Sequence, residues 1–283
     1  MIVVTGATGQ LGRLAIAELL KRVPAAELAA LARDPAKAAD LAALGVAVRK
    51  GDYTDPAALE AAFAGADKLL LISSSEVGRR EAQHRNAIAA AKAAGVGLIA
   101  YTSILHADTT PLGLGAEHRA TEALLRDSGI PHVLLRNGWY TENYLASAPA
   151  AVAHGALLGA AKDGRIASAA RADYAAAAAA VLTGEGHAGK VYELAGDSAY
   201  TLAEFAAEVA KASGKPVVYR DLPEAEFRAA LEGAGLPGPF AALLADSDAG
   251  AAKGGLYDGG RALSRLIGRP TTPMAESVRA SFA

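Results

Sequence analysis

The sequence predicts an α/β fold, a doubly wound parallel sheet with a smaller mixed α/β lobe on its C-terminal side. Three observations carry this. Six short apolar runs alternate with helical patterns between Met1 and Asn143, the alternation that βαβ units produce. The first run leads straight into glycines at positions 6, 9 and 12 and then into a helix. Beyond Asn143 the alternation becomes irregular, which sets the rest of the chain apart.

Met1–Val4 is the first strand and Leu11–Lys21 the first helix. The residues between them read as a phosphate-binding turn for a dinucleotide, which makes the sheet Rossmann-type. Gly6 permits the tight turn, Gly9 lets the backbone approach a pyrophosphate, and Gly12 lets the helix close on the sheet. Ala7, Thr8, Gln10 and Leu11 complete the turn, and the unpaired N–H groups and positive dipole end of the helix face the phosphates. The spacing is G-x-x-G-x-x-G rather than G-x-G-x-x-G, and in this it resembles the turn of short-chain dehydrogenase/reductases. A flexible strand-to-helix turn is the plain alternative.

Leu28–Ala32 is the second strand, ending in Arg33-Asp34-Pro35, with a helix over Pro35–Leu44. The residue at this strand's end selects the cofactor: an acid binds the ribose hydroxyls of NAD, whereas an arginine pairs with the 2′-phosphate of NADP. Arg33, with Lys37 one turn later, favours NADP; the alternative leaves Arg33 solvated and sets Asp34 on the ribose. Val46–Arg49 is the third strand, and Asp52 behind it either touches the adenine or caps the helix that starts at Pro56. The fourth, Lys68–Ile72, ends in Ser73, Ser74 and Ser75 at the sheet edge where ligands bind. Their hydroxyls suit a ribose or nicotinamide contact, or plain capping of the next helix. That helix spans Gly78–Ala94 with Gly95 as its C-terminal cap, and its His84 and Arg85 are read as facing solvent.

Leu98–Thr102 is the fifth strand, followed by a loop over 104–115, a helix over Ala116–Ser128 and the sixth strand, His132–Arg136. Its exit, Asn137-Gly138-Trp139-Tyr140-Thr141-Glu142-Asn143-Tyr144, holds the single Trp and two of nine Tyr. In a chain so poor in aromatics this clustering suggests a flat ligand or the nicotinamide face, the alternative being an aromatic plug under a second domain. Further on, helices are expected at Tyr174–Leu182, Leu202–Ser213, Glu224–Ala234 and Arg261–Leu266, and strands at Val191–Leu194 and Val217–Arg220. Loops over 184–189, 237–239 and 254–260 separate them. The expected division is an NADP-binding domain over 1–143 and a smaller substrate-binding lobe over 144–283, with the chain free to cross back to the sheet between lobes.

Composition excludes several classes. Net charge is −2 with Lys and Arg scattered, so nothing marks a nucleic-acid or anionic-membrane surface. Cysteine is absent, which removes disulfides, thiolate metal ligands and cysteine nucleophiles, and no metal site is expected. The longest apolar run, Tyr174–Leu182, is too short to span a membrane, and no signal peptide is read at the N-terminus. The expectation is a cytoplasmic protein, with a homodimer left open.

Many short-chain reductases place Tyr four residues before Lys, the lysine lowering the tyrosine pKa for proton transfer. No tyrosine here has that partner: Tyr101 meets Leu105, Tyr140 meets Tyr144 and Tyr257 meets Arg261. His118 and Arg119 stand near where the pair would lie. An acceptor needing little acid assistance fits this absence, and a quinone is one, because reduction makes its ring aromatic. Catalysis would then rest mainly on proximity.

The segments Val4–Gly12, Leu69–Gly78, Ile99–Ser103, Leu105–Asp108, Leu134–Tyr140 and Glu142–Pro149 resemble those of the NmrA-like branch of atypical short-chain dehydrogenase/reductases. Within it they are most similar to bacterial NAD(P)H:quinone oxidoreductases of the second type. The likeness continues through Val191–Ser198, Ala252–Gly255 and Ala275–Ser277 and so covers nearly the whole chain. It implies an NADPH-preferring, flavin-free, two-electron reductase of a small-molecule quinone. It also implies that the cofactor lies on Gly6–Leu11, with Arg33 on the 2′-phosphate, and that Ser73–Ser75, Asn137–Glu142 and Ala169 complete the site. Tyr140, Asn143 and Tyr144 are the candidates for the quinone pocket. A competing reading is a regulatory protein that senses NADP(H) without turnover; a sugar-nucleotide epimerase is disfavoured by the missing Tyr/Lys pair.

Overall fold

The computed structural model describes residues 1–283. In chain order its elements begin β1 (Ile2–Val4), α1 (Gln10–Leu20), β2 (Leu28–Ala32), α2 (Ala39–Ala43), β3 (Ala47–Lys50), α3 (Pro56–Phe63), β4 (Lys68–Leu71) and α4 (Arg80–Ala93). Then come β5 (Leu98–Ile104), α5 (Gly115–Ser128), β6 (His132–Asn137), α6 (Thr141–Leu145), α7 (Ala148–His154), β7 (Ala156–Gly159), α8 (Arg171–Thr183) and β8 (Val191–Leu194). The chain closes with α9 (Leu202–Ser213), β9 (Val218–Asp221), α10 (Glu224–Gly233), α11 (Gly238–Ala251), α12 (Ala262–Ile267) and α13 (Met274–Ser281). No helix is long and apolar enough to cross a membrane.

Seven strands form one sheet in the order β3-β2-β1-β4-β5-β6-β8. Strands β1 and β2 are buried along their full length, as strands of a parallel sheet covered on both faces must be. Val3 pairs with Ala29 on one side and with Leu69 on the other, so the strand order reverses at β1 and β4. This reversal is the topological switch point, where such sheets bind ligands.

The chain forms two compact units. The first comprises residues 1–107, 116–137 and 171–192, the second 108–115, 138–170 and 193–283. In the first, Phe63, Leu69, Leu71, Ile99 and Tyr101 lie at the centre of the core. There α8 packs on α1, and Ala175 to Ala179 are all buried. Alanine therefore has a packing role: small side chains let two helices approach closely. In the second unit β7 pairs in parallel with β9, and Phe227 packs on Ala160 and Ala245.

Three expectations need correction. The helix expected over 35–44 is a 3₁₀ turn, Pro35–Ala38, followed by the short α2, because Asp34 caps the turn at the Ala36 amide. The expected loop at 237–239 is instead the start of α11: Pro237 is its N-cap, and Pro239 sits in the first turn, where a missing N–H costs nothing. His84 does not face solvent but is fully buried, whereas Arg85 is exposed and paired with Glu81.

Candidate cofactor site

Between β1 and α1 the chain builds a cradle from backbone. Gly6 has φ +57°, and the Gly9 amide donates to the Gly6 carbonyl at 2.9 Å. A Cβ on Gly12 would lie 2.3 Å from the Gly6 oxygen and 2.7 Å from Ala7 Cα, so only glycine allows this closure of helix on turn. Gly9 caps α1 without any side-chain hydrogen bond, and the first turn carries no acidic residue. The amides of Gln10, Leu11 and Gly12 precede the first intrahelical bond, from the Arg13 N–H to the Gly9 carbonyl. They and the helix dipole offer an anion the donors that a capping side chain would otherwise take.

Thr5 fixes the cradle to the switch point. Its hydroxyl donates to the Leu70 carbonyl at 3.0 Å and accepts from the Ile72 amide at 2.9 Å, and the Tyr53 hydroxyl lies 2.5 Å from it. The sequence places Thr5 in the glycine-rich segment and Tyr53 in the Gly51-Asp52-Tyr53 stretch expected beside the adenine, but does not predict their contact. They lie 48 residues apart, and only the sheet order brings them together.

Arg33, after β2, is exposed, and its Nη1 lies 3.3 Å from a carboxylate oxygen of Glu76. Asp34 accepts from the Ala36 amide at 3.1 Å, so its carboxylate is occupied as a cap. Asp52 caps no helix: it accepts from the amide and hydroxyl of Thr54 at 2.8 and 2.7 Å, and the helix cap is Asp55. The Thr54 hydrogen bonds hold the Asp52 carboxyl below its ordinary range.

Ser73, Ser74 and Ser75 follow β4; the first two are half-buried and Ser75 is exposed. The Ser73 amide donates to Thr102 Oγ1 at 2.8 Å, and the Ser74 hydroxyl is bonded to Gln83. Glu122 is buried behind the ends of β5 and β6, accepting from Ser103 at 2.6 Å and from Arg136 Nε and Nη2 at 2.9 and 2.7 Å. His118 does not replace the missing acid: it is buried, and its Nδ1 is 2.8 Å from the Tyr101 hydroxyl. Arg119 donates to the Ala107 carbonyl.

In the second unit, Ala169 joins the loop that follows Asn137. The Thr141 amide donates to the Ala169 carbonyl at 3.0 Å, and the Ala169 amide to the Trp139 carbonyl at 3.2 Å. The Gly138 amide donates to the Leu194 carbonyl at 2.7 Å. Thr141 is fully buried, its hydroxyl 2.8 Å from that of Ser168. Trp139, Tyr140 and Glu142 are half-buried and Asn143 is exposed. Tyr144 is buried and donates to Asp248 at 3.1 Å, and burial with that carboxylate raises its pKa well above the ordinary value.

The cradle fits a dinucleotide pyrophosphate, since the positions where a Cβ would collide are those where backbone must come close. An NAD(P)H-binding family profile matches residues 6–185. Quinone oxidoreductase 2 of Escherichia coli K12 is 64% identical over 282 residues, covering 100% of this chain and 99% of that protein. The crystal structure of the NADPH-dependent quinone oxidoreductase QOR2 of E. coli complexed with NADPH superposes with TM-score 0.98 at 64% identity, covering 100% of both chains. Triphenylmethane reductase of Citrobacter sp., complexed with NADP(H), gives 0.95 at 40% identity, covering 99% of this chain and 100% of that one.

Proposed function

This chain belongs to the NAD(P)H-binding family, in its NmrA-like branch, and from that premise we propose that it reduces quinones by two electrons with NADPH, without flavin. The observation that carries the reading is the backbone cradle at the switch point, in a chain that matches a quinone oxidoreductase along its whole length. Bound there, NADPH supplies both electrons as a hydride from nicotinamide C4.

The residues divide the work. Gln10 and Leu11 hold the pyrophosphate through backbone amides, Gly6, Ala7, Thr8 and Gly9 shape the turn on which it rests, and Gly12 keeps the helix end close. Arg33 pairs with the 2′-phosphate. Ser73–Ser75 meet the ribose and nicotinamide end, and Asn137–Glu142 with Ala169 complete the binding surface. Tyr140 and Asn143 present side chains to the quinone, while Tyr144, buried with its hydroxyl engaged by Asp248, backs the pocket. Rate acceleration comes from holding donor and acceptor in register, and the acceptor's gain of aromaticity lessens the need for a dedicated acid. Such a reaction belongs where NADPH is kept reduced, so the proposed compartment is the cytoplasm. The reading is tested by oxidation of NADPH that depends on added quinone, in flavin-free protein.

A further inference from the structure

The loop after β4 is held from behind by buried groups. The Ser74 amide donates to His84 Nε2 at 2.9 Å, and His84 Nδ1 lies 2.9 Å from Thr121 Oγ1. A backbone amide can only donate, so Nε2 must accept and the proton sits on Nδ1. Thr121 agrees with this assignment. Its hydroxyl donates to the Glu117 carbonyl at 2.9 Å, leaving its oxygen to accept from Nδ1. The ring is fully buried and has no face open to a ligand. Burial, with Arg80 nearby, lowers its pKa to about 3, so the neutral form persists at working pH.

Neighbouring ties run the same way. Arg80 Nε donates to the Ser74 carbonyl at 2.7 Å, and its Nη1 pairs with Glu117 at 2.9 Å. Glu117 also accepts from the Gly78 amide at 2.9 Å, so the loop is bound to both α4 and α5. The amide and the carbonyl of one residue, Ser74, are thus fixed by two buried side chains of one helix.

We propose that His84 is a positioning residue for the cofactor: its Nδ1-protonated ring fixes the Ser74 amide, and with it the serine hydroxyls, in the geometry that receives NADPH. This rests on the reading of Ser73–Ser75 as a cofactor contact.

Two variants separate the parts. His84→Gln sets an amide oxygen where Nε2 stands and can still accept from Ser74. His84→Asn keeps a donor near Nδ1 but falls short of Ser74. For His84→Asn, hydrogen exchange of the Ser74 amide should quicken and the NADPH KM rise about tenfold, with a smaller change in kcat. His84→Gln should restore both. Unchanged protection of Ser74 in His84→Asn would overturn the proposal, as would equal impairment of the two variants. Faster exchange rescued by Gln, with KM unmoved throughout, would remove the cofactor from the serine loop and end His84's role in binding, while leaving its hold on the loop established. Imidazole ¹⁵N shifts of the unmodified protein give a test that no folding defect can blur. The Nδ1–H tautomer is expected, and the Nε2–H tautomer would contradict the assignment.

Discussion

The Arg33 guanidinium and the Glu76 carboxylate lie 3.3 Å apart, so the cation assigned to the 2′-phosphate already faces an acidic side chain. Arg33 is largely exposed and Glu76 partly so, and such surface pairs add little to folding stability. Arg33→Ala should therefore weaken NADPH binding by roughly 1.5–3 kcal/mol, the size of a hydrogen bond to a charged group, and leave NADH binding and the Tm almost unchanged. Glu76→Gln should tighten NADPH modestly by removing a competing anion. Titration of both cofactors by fluorescence checks this, and equal losses for NADH and NADPH in Arg33→Ala would remove Arg33 from the 2′-phosphate.

Gly12→Ala places a Cβ 2.3 Å from the Gly6 oxygen, a contact only backbone movement can relieve. Overpacking of this kind costs about 1–3 kcal/mol. The variant should lose NADPH affinity along with stability. At Gly9 the nearest atom would be 3.2 Å away, so Gly9→Ala should cost less stability. Denaturant melts of the two variants, with and without NADPH, check the order.

Acid should destabilise the fold through two histidines. Burial, and then Arg80, lowers the His84 pKa to about 3, and the same causes together with His84 hold His118 well below its ordinary value. Below pH 6.5 the unfolded chain binds more protons than the native one, so stability falls by about 1.4 kcal/mol per pH unit for each histidine. Asp248 opposes this. Burial raises its pKa to about 6, so between pH 3.8 and 6 the native state binds the extra proton and gains stability on acidification. Urea midpoints should drop between pH 7.5 and 5, less steeply in His84→Gln and more steeply in Asp248→Asn. A flat profile would contradict the buried neutral state of the histidines.

Glu122 is almost wholly buried, and Arg136 grips both of its oxygens. Glu122→Gln leaves that arginine without its countercharge and should cost about 3–5 kcal/mol. Replacing both, Glu122→Leu with Arg136→Met, should recover most of the loss. Chemical denaturation of the single and double variants measures the difference.

Much of the fold is legible because local signals agree. Leu28–Ala32 and Val191–Leu194 are strands with the expected bounds. Leu202–Ser213 is a helix with the expected bounds, opened by a capping box of Thr201 and Glu204. The sequence hid elements whose signals conflict. In α11 a Pro-Gly-Pro opening reads as a loop, and its alanines and glycine give no sharp apolar stripe. His84 misleads as a single polar residue, yet it shares a buried helix face with Arg80, Ala87, Ile88 and Ala91. That phase was the available signal. At the site, the glycine cradle is local and readable, whereas the Thr5–Tyr53 contact and the tie between Ala169 and Trp139 depend on long-range pairing that no short window contains.

The most direct test of the central claim follows NADPH at its near-ultraviolet absorbance in flavin-free protein, with and without a simple benzoquinone, and with NADH in parallel. The account predicts quinone-dependent oxidation that is faster with NADPH than with NADH. Tight NADPH binding with no turnover across several quinones would contradict it and make the protein an NADP(H) sensor.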